Sequence, residues 1–79
     1  MIGAAIGSII EFKLWLRDSG RGYLEDGLGD WSPGAALFEI ARRAGVRGLH
    51  ESDSIVDTLP MVRGIIAVRC PPRRARAES

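Results

Sequence analysis

Residues 3–18 read GAAIGSIIEFKLWLRD, and whether they coil or extend decides the fold class. As a strand from Ile10 onward, Ile10, Phe12, Leu14 and Leu16 alternate with Glu11, Lys13, Trp15 and Arg17, a clean period of two. As a helix, Ile2, Ile6, Ile9, Ile10, Lys13, Leu14 and Arg17 line a broad apolar face with polar breaks. Sixteen residues without a turn signal are long for a strand, so a helix is the expected element. Gly3 and Gly7 weigh against a helix start before Ser8.

Working outward, Ser32 to Leu49 carries the clearest local signals. Ser32 can cap the free N–H groups of a helix, and Pro33 suits the first helical position. Leu37, Ile40, Ala41 and Ala44 then recur at helical spacing, with Glu39, Arg42 and Arg43 on the other side. Gly45 supplies the permissive residue a helix end needs. The expectation is an arginine-rich amphipathic helix whose apolar side so short a chain covers only in part.

Between these two segments lies DSGRGYLEDGLGDW, residues 18–31, with four glycines and four carboxylates, which reads as a loop pinned by Tyr23 and Leu24. Asp18, Glu25, Asp26 and Asp30 lack the alternate spacing and closing glutamate of a calcium loop, so no metal site is expected. After Gly45, VRGLHE is a turn or an edge strand, and His50, the sole histidine, is a surface or capping residue. Ser52 or Asp53 caps a third helix bearing Ile55, Val56 and Leu59, which Pro60 either kinks or ends. GIIAVR, 64–69, is a buried strand or that helix's second half, and Cys70-Pro71-Pro72 stops it. The fold expected is a small all-α domain of about three helices over 1–70, with 71–79 a flexible basic tail. The alternative is an α+β split βαβ (ferredoxin-like) order: strand 10–17, helix 34–45, strand 46–51, helix 52–62, strand 63–70.

Composition bounds the rest. A chain of 79 residues makes one domain and buries only roughly 60% of its unfolded surface. One cysteine permits no internal disulfide, so the thin core has no covalent staple, and a small apolar-rich domain of this kind calls for a partner surface. Up to Val62 there are six basic and nine acidic residues; from Arg63 onward there are five basic and one acidic. That basic end offers itself to nucleic acid or a membrane surface, a solvated tail being the plainer reading. MIGAAIGSII is apolar but lacks a basic leader and stops far short of the ~20 residues a spanning helix needs. No signal peptide, membrane span or cofactor is expected, and a cytoplasmic location is the default.

Four short blocks, in order across residues 1–62, carry a family resemblance. MIGAAIGSIIEF is similar to a glycine–alanine helix closing on a G-S-x-x-E-F-like element; WLRDSGRGYLEDG resembles a W-x-x-x-G-Y-L segment. GDWSPGAAL resembles a G-D-I-G-x-x-T-R-x-A-L block, with Pro33 and Gly34 where polar residues usually stand. DSIVDTLP is similar to G-S-x-M-R-x-x-P, with Asp57 in place of the usual arginine. These are blocks of the ADP-ribosylglycohydrolase family. The resemblance implies a truncated or reduced relative in which Asp30 and Ser54 match ligand-binding positions. The family's paired-aspartate T-D-D-T motif and its C-terminal G-D-T-D-T motif, which hold two magnesium ions, are absent. Two-metal hydrolysis needs both ions clamped by several carboxylates, so no activity is expected of this chain alone.

Two other function classes also fit the sequence. EIARRAGV resembles the first helix and turn of a helix-turn-helix, which would make Arg42, Arg43, Arg47, Arg73 and Arg74 the nucleic-acid contacts. Against this, the position six after Gly45 is Glu51 instead of a buried aliphatic, and Asp53 and Asp57 would repel phosphate. The third class is a non-catalytic interaction module, joined to a protein partner or a second copy. Nucleophile–base catalysis is set aside, because Cys70 and His50 are the only thiol and imidazole and nothing near Cys70 would depress its pKa. Trp15 and Trp31 are expected as core or interface anchors with nothing basic interleaved.

Overall fold

The computed structural model describes residues 8–73. Ile2, Ile6 and the Gly3–Gly7 spacing lie outside the described residues, as does the tail from Arg74 onward. Three helices, α1 (Ile9–Asp18), α2 (Pro33–Arg43) and α3 (Ile55–Arg69), are joined by irregular segments, with one 3-10 turn at Gly22–Glu25. No strand occurs among the described residues, so the domain is all-α and the split βαβ order does not form.

The ambiguous first segment coils because Ser8 caps it. Its hydroxyl accepts the Glu11 N–H at 3.2 Å, and Arg17 lies in the last turn, where positive charge suits the helix dipole. A helix turns ~100° per residue, so the period-two set splits. Phe12 and Leu16 are fully buried, while Ile10 and Leu14 are 68% and 50% exposed. The buried side is therefore Phe12 and Leu16, with Ile9 and Trp15 packed beside them. This corrects the face drawn through Ile10 and Leu14, and the reason is tertiary: both faces are apolar, and only packing against the other helices selects one.

α1 and α2 end alike. After Ser19, Gly20 takes φ +79°, its N–H reaching Arg17 O and the Arg21 N–H reaching Leu16 O. After Ala44, Gly45 takes φ +85°, with the same pair of bonds to Arg42 O and Ala41 O. Both are Schellman closures, which only glycine makes without strain. α2 forms as expected, with Ser32 accepting from Ala35 N–H and Pro33 in the first turn. Its Ala36, Leu37, Ile40 and Ala41 are buried, so the chain covers this apolar side itself, contrary to the expectation of partial cover.

α3 begins at Ser54, whose hydroxyl accepts from Asp57 N–H, and not at Ser52 or Asp53; the Asp53 carboxylate instead accepts the His50 N–H at 2.9 Å. The helix runs through Pro60, which sits in its exposed second turn and deprives the Val56 carbonyl of its intrahelical donor. GIIAVR is thus the second half of this helix. The core is one cluster: Phe12 and Leu16 from α1, Leu37, Ile40 and Ala41 from α2, Leu59, Val62 and Ile66 from α3, closed below by Leu24 and Leu28. The acidic glycine-rich loop therefore contributes two buried leucines, of which Leu28 carries no local signal.

The C-terminal residues in view are tied down. Arg21 Nε donates to Cys70 O at 2.7 Å, the Tyr23 hydroxyl donates to Pro71 O at 2.7 Å, and Arg73 N–H donates to Gly20 O at 2.6 Å. The part of 71–79 that is described is thus docked onto the turn after α1 and is no free tail.

The assignment of faces on α1 is testable by stability. Leu16→Ala should cost about 2–5 kcal/mol, a large share of the roughly 4–12 kcal/mol expected for this length. Leu14→Ala should stay within about 0.5 kcal/mol, as exposed substitutions do. Urea melts of both variants decide it; equal losses, or the reverse order, would place the wrong face in the core.

Candidate functional site

Asp30 lies exposed in the turn before α2, and Ser54 is spent as the cap of α3. The remaining acids of the loop are dispersed. Glu25 accepts from Arg17 Nε at 2.7 Å, and Asp26 is engaged through its backbone carbonyl. Among the described residues no group of three or more His, Cys, Asp or Glu side chains is placed to share an ion. A dent bordered by Leu37, Phe38, Leu49, His50 and Ile55 is water-sized and opens beside α2, where a Cβ on Gly34 would stand 3.2 Å from Glu51 O. It offers no room for a nucleotide-sized ligand.

The arginines assigned to a helix-turn-helix are likewise redistributed. Arg42 makes two bonds to the Glu39 carboxylate, at 3.1 and 3.0 Å, and Arg43 adds a third at 3.2 Å. Arg43 also holds the loop through Leu24 O and Asp26 O. Both guanidiniums are therefore occupied within the domain, Arg47 is exposed, and Arg74 is outside the described residues. Residues 44–54 separate α2 from α3, whereas a helix-turn-helix joins its helices by a 3–4-residue turn. That motif does not form here.

Trp15 packs against the core, as expected of an anchor, but basic side chains meet its ring, which was not expected. The Arg21 and Arg63 guanidiniums lie over its ring at 5.4 and 4.9 Å, and Arg73 lies over Tyr23 at 4.2 Å. Basic and aromatic side chains thus do interleave, across the junction of α1 with α3. Sequence could not show this, because Trp15 and Arg63 belong to opposite ends of the chain and carry no shared local pattern.

The second feature without an internal explanation is the outer side of α3. Thr58, Leu59, Val62 and Ile66 face the core. On the opposite side Val56, Pro60, Met61, Gly64, Ala67 and Val68 are all exposed, Val68 at 85%. They recur at helical spacings of three and four, so they form one stripe, interrupted by Asp57 near its start. A helix that is apolar on two sides is normally enclosed on both, and α3, whose charges are Asp57, Arg63 and Arg69, is enclosed on one side only. Trp31, 46% exposed, is a further uncovered apolar group.

The arginine fork also sets a pH dependence. The Arg42 hydrogen bond, with Arg43 beside it, holds the Glu39 carboxyl below the usual carboxylate range against a smaller opposing effect of desolvation. A carboxyl depressed in the folded state contributes stability that is present above its unfolded pKa and lost as pH falls through its folded pKa. Glu39→Gln should therefore lower the thermal midpoint at neutral pH, and the difference from the parent should shrink to nothing in acid. Melts across that range check it, and a difference that persists in acid would rule out the ion pair as its source.

Comparison of the chain with protein-family models, with curated proteins and with solved structures finds no match.

Proposed function

We propose that this chain is a non-catalytic helical module that works by association, and that the outer side of α3 is the surface it uses, with a second copy as the occupant. The observation that carries this reading is the exposed run Val56, Pro60, Met61, Gly64, Ala67 and Val68 on a helix whose other side is already in the core. Burial of apolar area contributes ~25 cal/mol per Å², and a domain with so thin a core gains proportionately from covering it. Gly64 and Ala67 in the middle of the stripe allow a second helix to approach closely, and Gly64 has open space where a Cβ would stand. Val56 and Val68 lie roughly 18 Å apart along the axis, so two copies of α3 laid antiparallel match apolar ends around a small-residue centre. A single helix pair falls short of the ~1,600 Å² of a standard interface, so the association is weak and reversible.

The hydrolase resemblance enters this reading as ancestry. A reduced relative of the ADP-ribosylglycohydrolases that has lost its metal acids would keep helices and lose chemistry. What supports it is the order of the four sequence blocks; Asp30 and Ser54 are its only candidate ligand contacts.

Sedimentation equilibrium from micromolar to millimolar protein tests the association. A monomer–dimer equilibrium is expected, abolished by Val68→Glu with the helical circular dichroism unchanged. A monomer throughout, or a dimer indifferent to Val68→Glu, would overturn the assignment. Calorimetric titration with ADP-ribose and magnesium is expected to give no heat, and saturable binding lost in Asp30→Ala would restore the hydrolase ligand site.

A further inference from the structure

A second unexplained cluster lies at the junction of α1, the turn that follows it and α3. Arg21, Arg63 and Arg73 meet there on the rings of Trp15 and Tyr23. Among the described residues the ion pairs are Arg17–Glu25, Arg42–Glu39 and Arg43–Glu39, so none of these three arginines is neutralised by a carboxylate. Arg21 is partly committed, through Nε to Cys70 O and a long contact from Nη1 to Ser19 O. Arg63 and Arg73 are exposed, and among the described residues their guanidiniums have ring contacts and no side-chain hydrogen bond.

We infer that this face binds the sugar–phosphate backbone of single-stranded nucleic acid, with Arg63 and Arg73 as its phosphate contacts and Arg21, tied to the Cys70 carbonyl, as a fixed positive charge beside Arg63 on the Trp15 ring. Charge complementarity carries the choice of occupant. The chain is acidic before Arg63 and basic from there on, and the structure brings the start of the basic portion against Arg21, the one basic residue of the otherwise acidic segment that follows α1. Arginine presents a planar fork that matches phosphate oxygens, and its flat face takes a stacked base. A guanidinium resting on an aromatic ring keeps that fork pre-oriented, so less side-chain freedom is lost on binding. Unpaired bases supply the stacking partner that a duplex withholds, which favours a single strand. The contacts read no base edge, so binding is independent of sequence and sensitive to salt.

Arg63 borders the stripe proposed for self-association, three residues after Pro60 and four before Ala67, whereas Arg21 and Arg73 lie off α3, so the two surfaces adjoin and are tested by separate readouts. Fluorescence anisotropy of a labelled oligothymidylate with the full chain tests it. Binding should weaken as salt rises, with a slope in log K against log salt of about −0.7 for each phosphate neutralised. The double variant Arg63→Gln, Arg73→Gln should bind at least about tenfold more weakly in low salt and flatten that slope by about 1–1.5. Arg42→Gln, which removes a guanidinium already held by Glu39, should leave binding unchanged. Circular dichroism confirms that each variant keeps its helices, and Arg63→Gln alone serves if the double variant unfolds. No binding by the parent, equal binding by the double variant, or equal binding of polyglutamate in place of the oligonucleotide would overturn the inference. A chain that dimerises yet ignores the oligonucleotide removes this inference and leaves the association reading intact.

Discussion

The hydrogen bond from Arg21 Nε to the Cys70 carbonyl, at 2.7 Å, joins the exit of the first helix to the exit of the last, and the rest of the architecture depends on that closure. A chain this short cannot surround three helices with a deep core. Its large fully buried side chains are few, with Phe12, Leu16 and Ile40 the bulk of one side and Leu59, Val62 and Ile66 of the other. Those two halves are held in register where their ends meet. A hydrogen bond from a charged donor is worth about 1.5–3 kcal/mol, comparable with burying one aliphatic side chain. Tyr23 and the Arg73 backbone repeat the connection one and three residues further on, so the joint has several members.

Arginine serves this fold as tether more than as surface charge. Arg43 holds the carbonyls of Leu24 and Asp26, and Arg69 reaches Gly45 O at a longer 3.5 Å. In each case a long side chain satisfies a backbone oxygen in an irregular segment, where no helical donor is available. With no disulfide available, these bonds do part of the work that cross-links do in other small domains. The cost is that such ties lie near the surface, where water competes for the same oxygens.

Much of the secondary structure was legible because it is local. The second helix announces itself through Ser32, Pro33, the spacing of Leu37, Ile40, Ala41 and Ala44, and Gly45, and all of these act within one or two turns. The first helix was legible in type but not in face, since Ile9, Ile10, Phe12, Leu14 and Leu16 are comparably apolar and only distant packing ranks them. Leu28 was hidden for a related reason: a single leucine among glycines and acids has no periodicity to declare it buried. The stacking of Arg63 on Trp15 is non-local and could not be read from either residue's neighbours. Asp30 and Ser54 are local matches of another kind, which the structure places in an exposed turn and at a helix cap.

Cys70 gives the closure a further consequence. The sole thiol is 9% exposed, packs in the core cluster and belongs to the residue whose carbonyl Arg21 holds, so its burial and the terminal joint share one residue. Its alkylation rate therefore acts as a clock for fraying of that end. In dilute protein the clock separates opening of that end from global denaturation, because Cys70 lies just past the last turn of α3, and a helix end opens at lower cost than its middle.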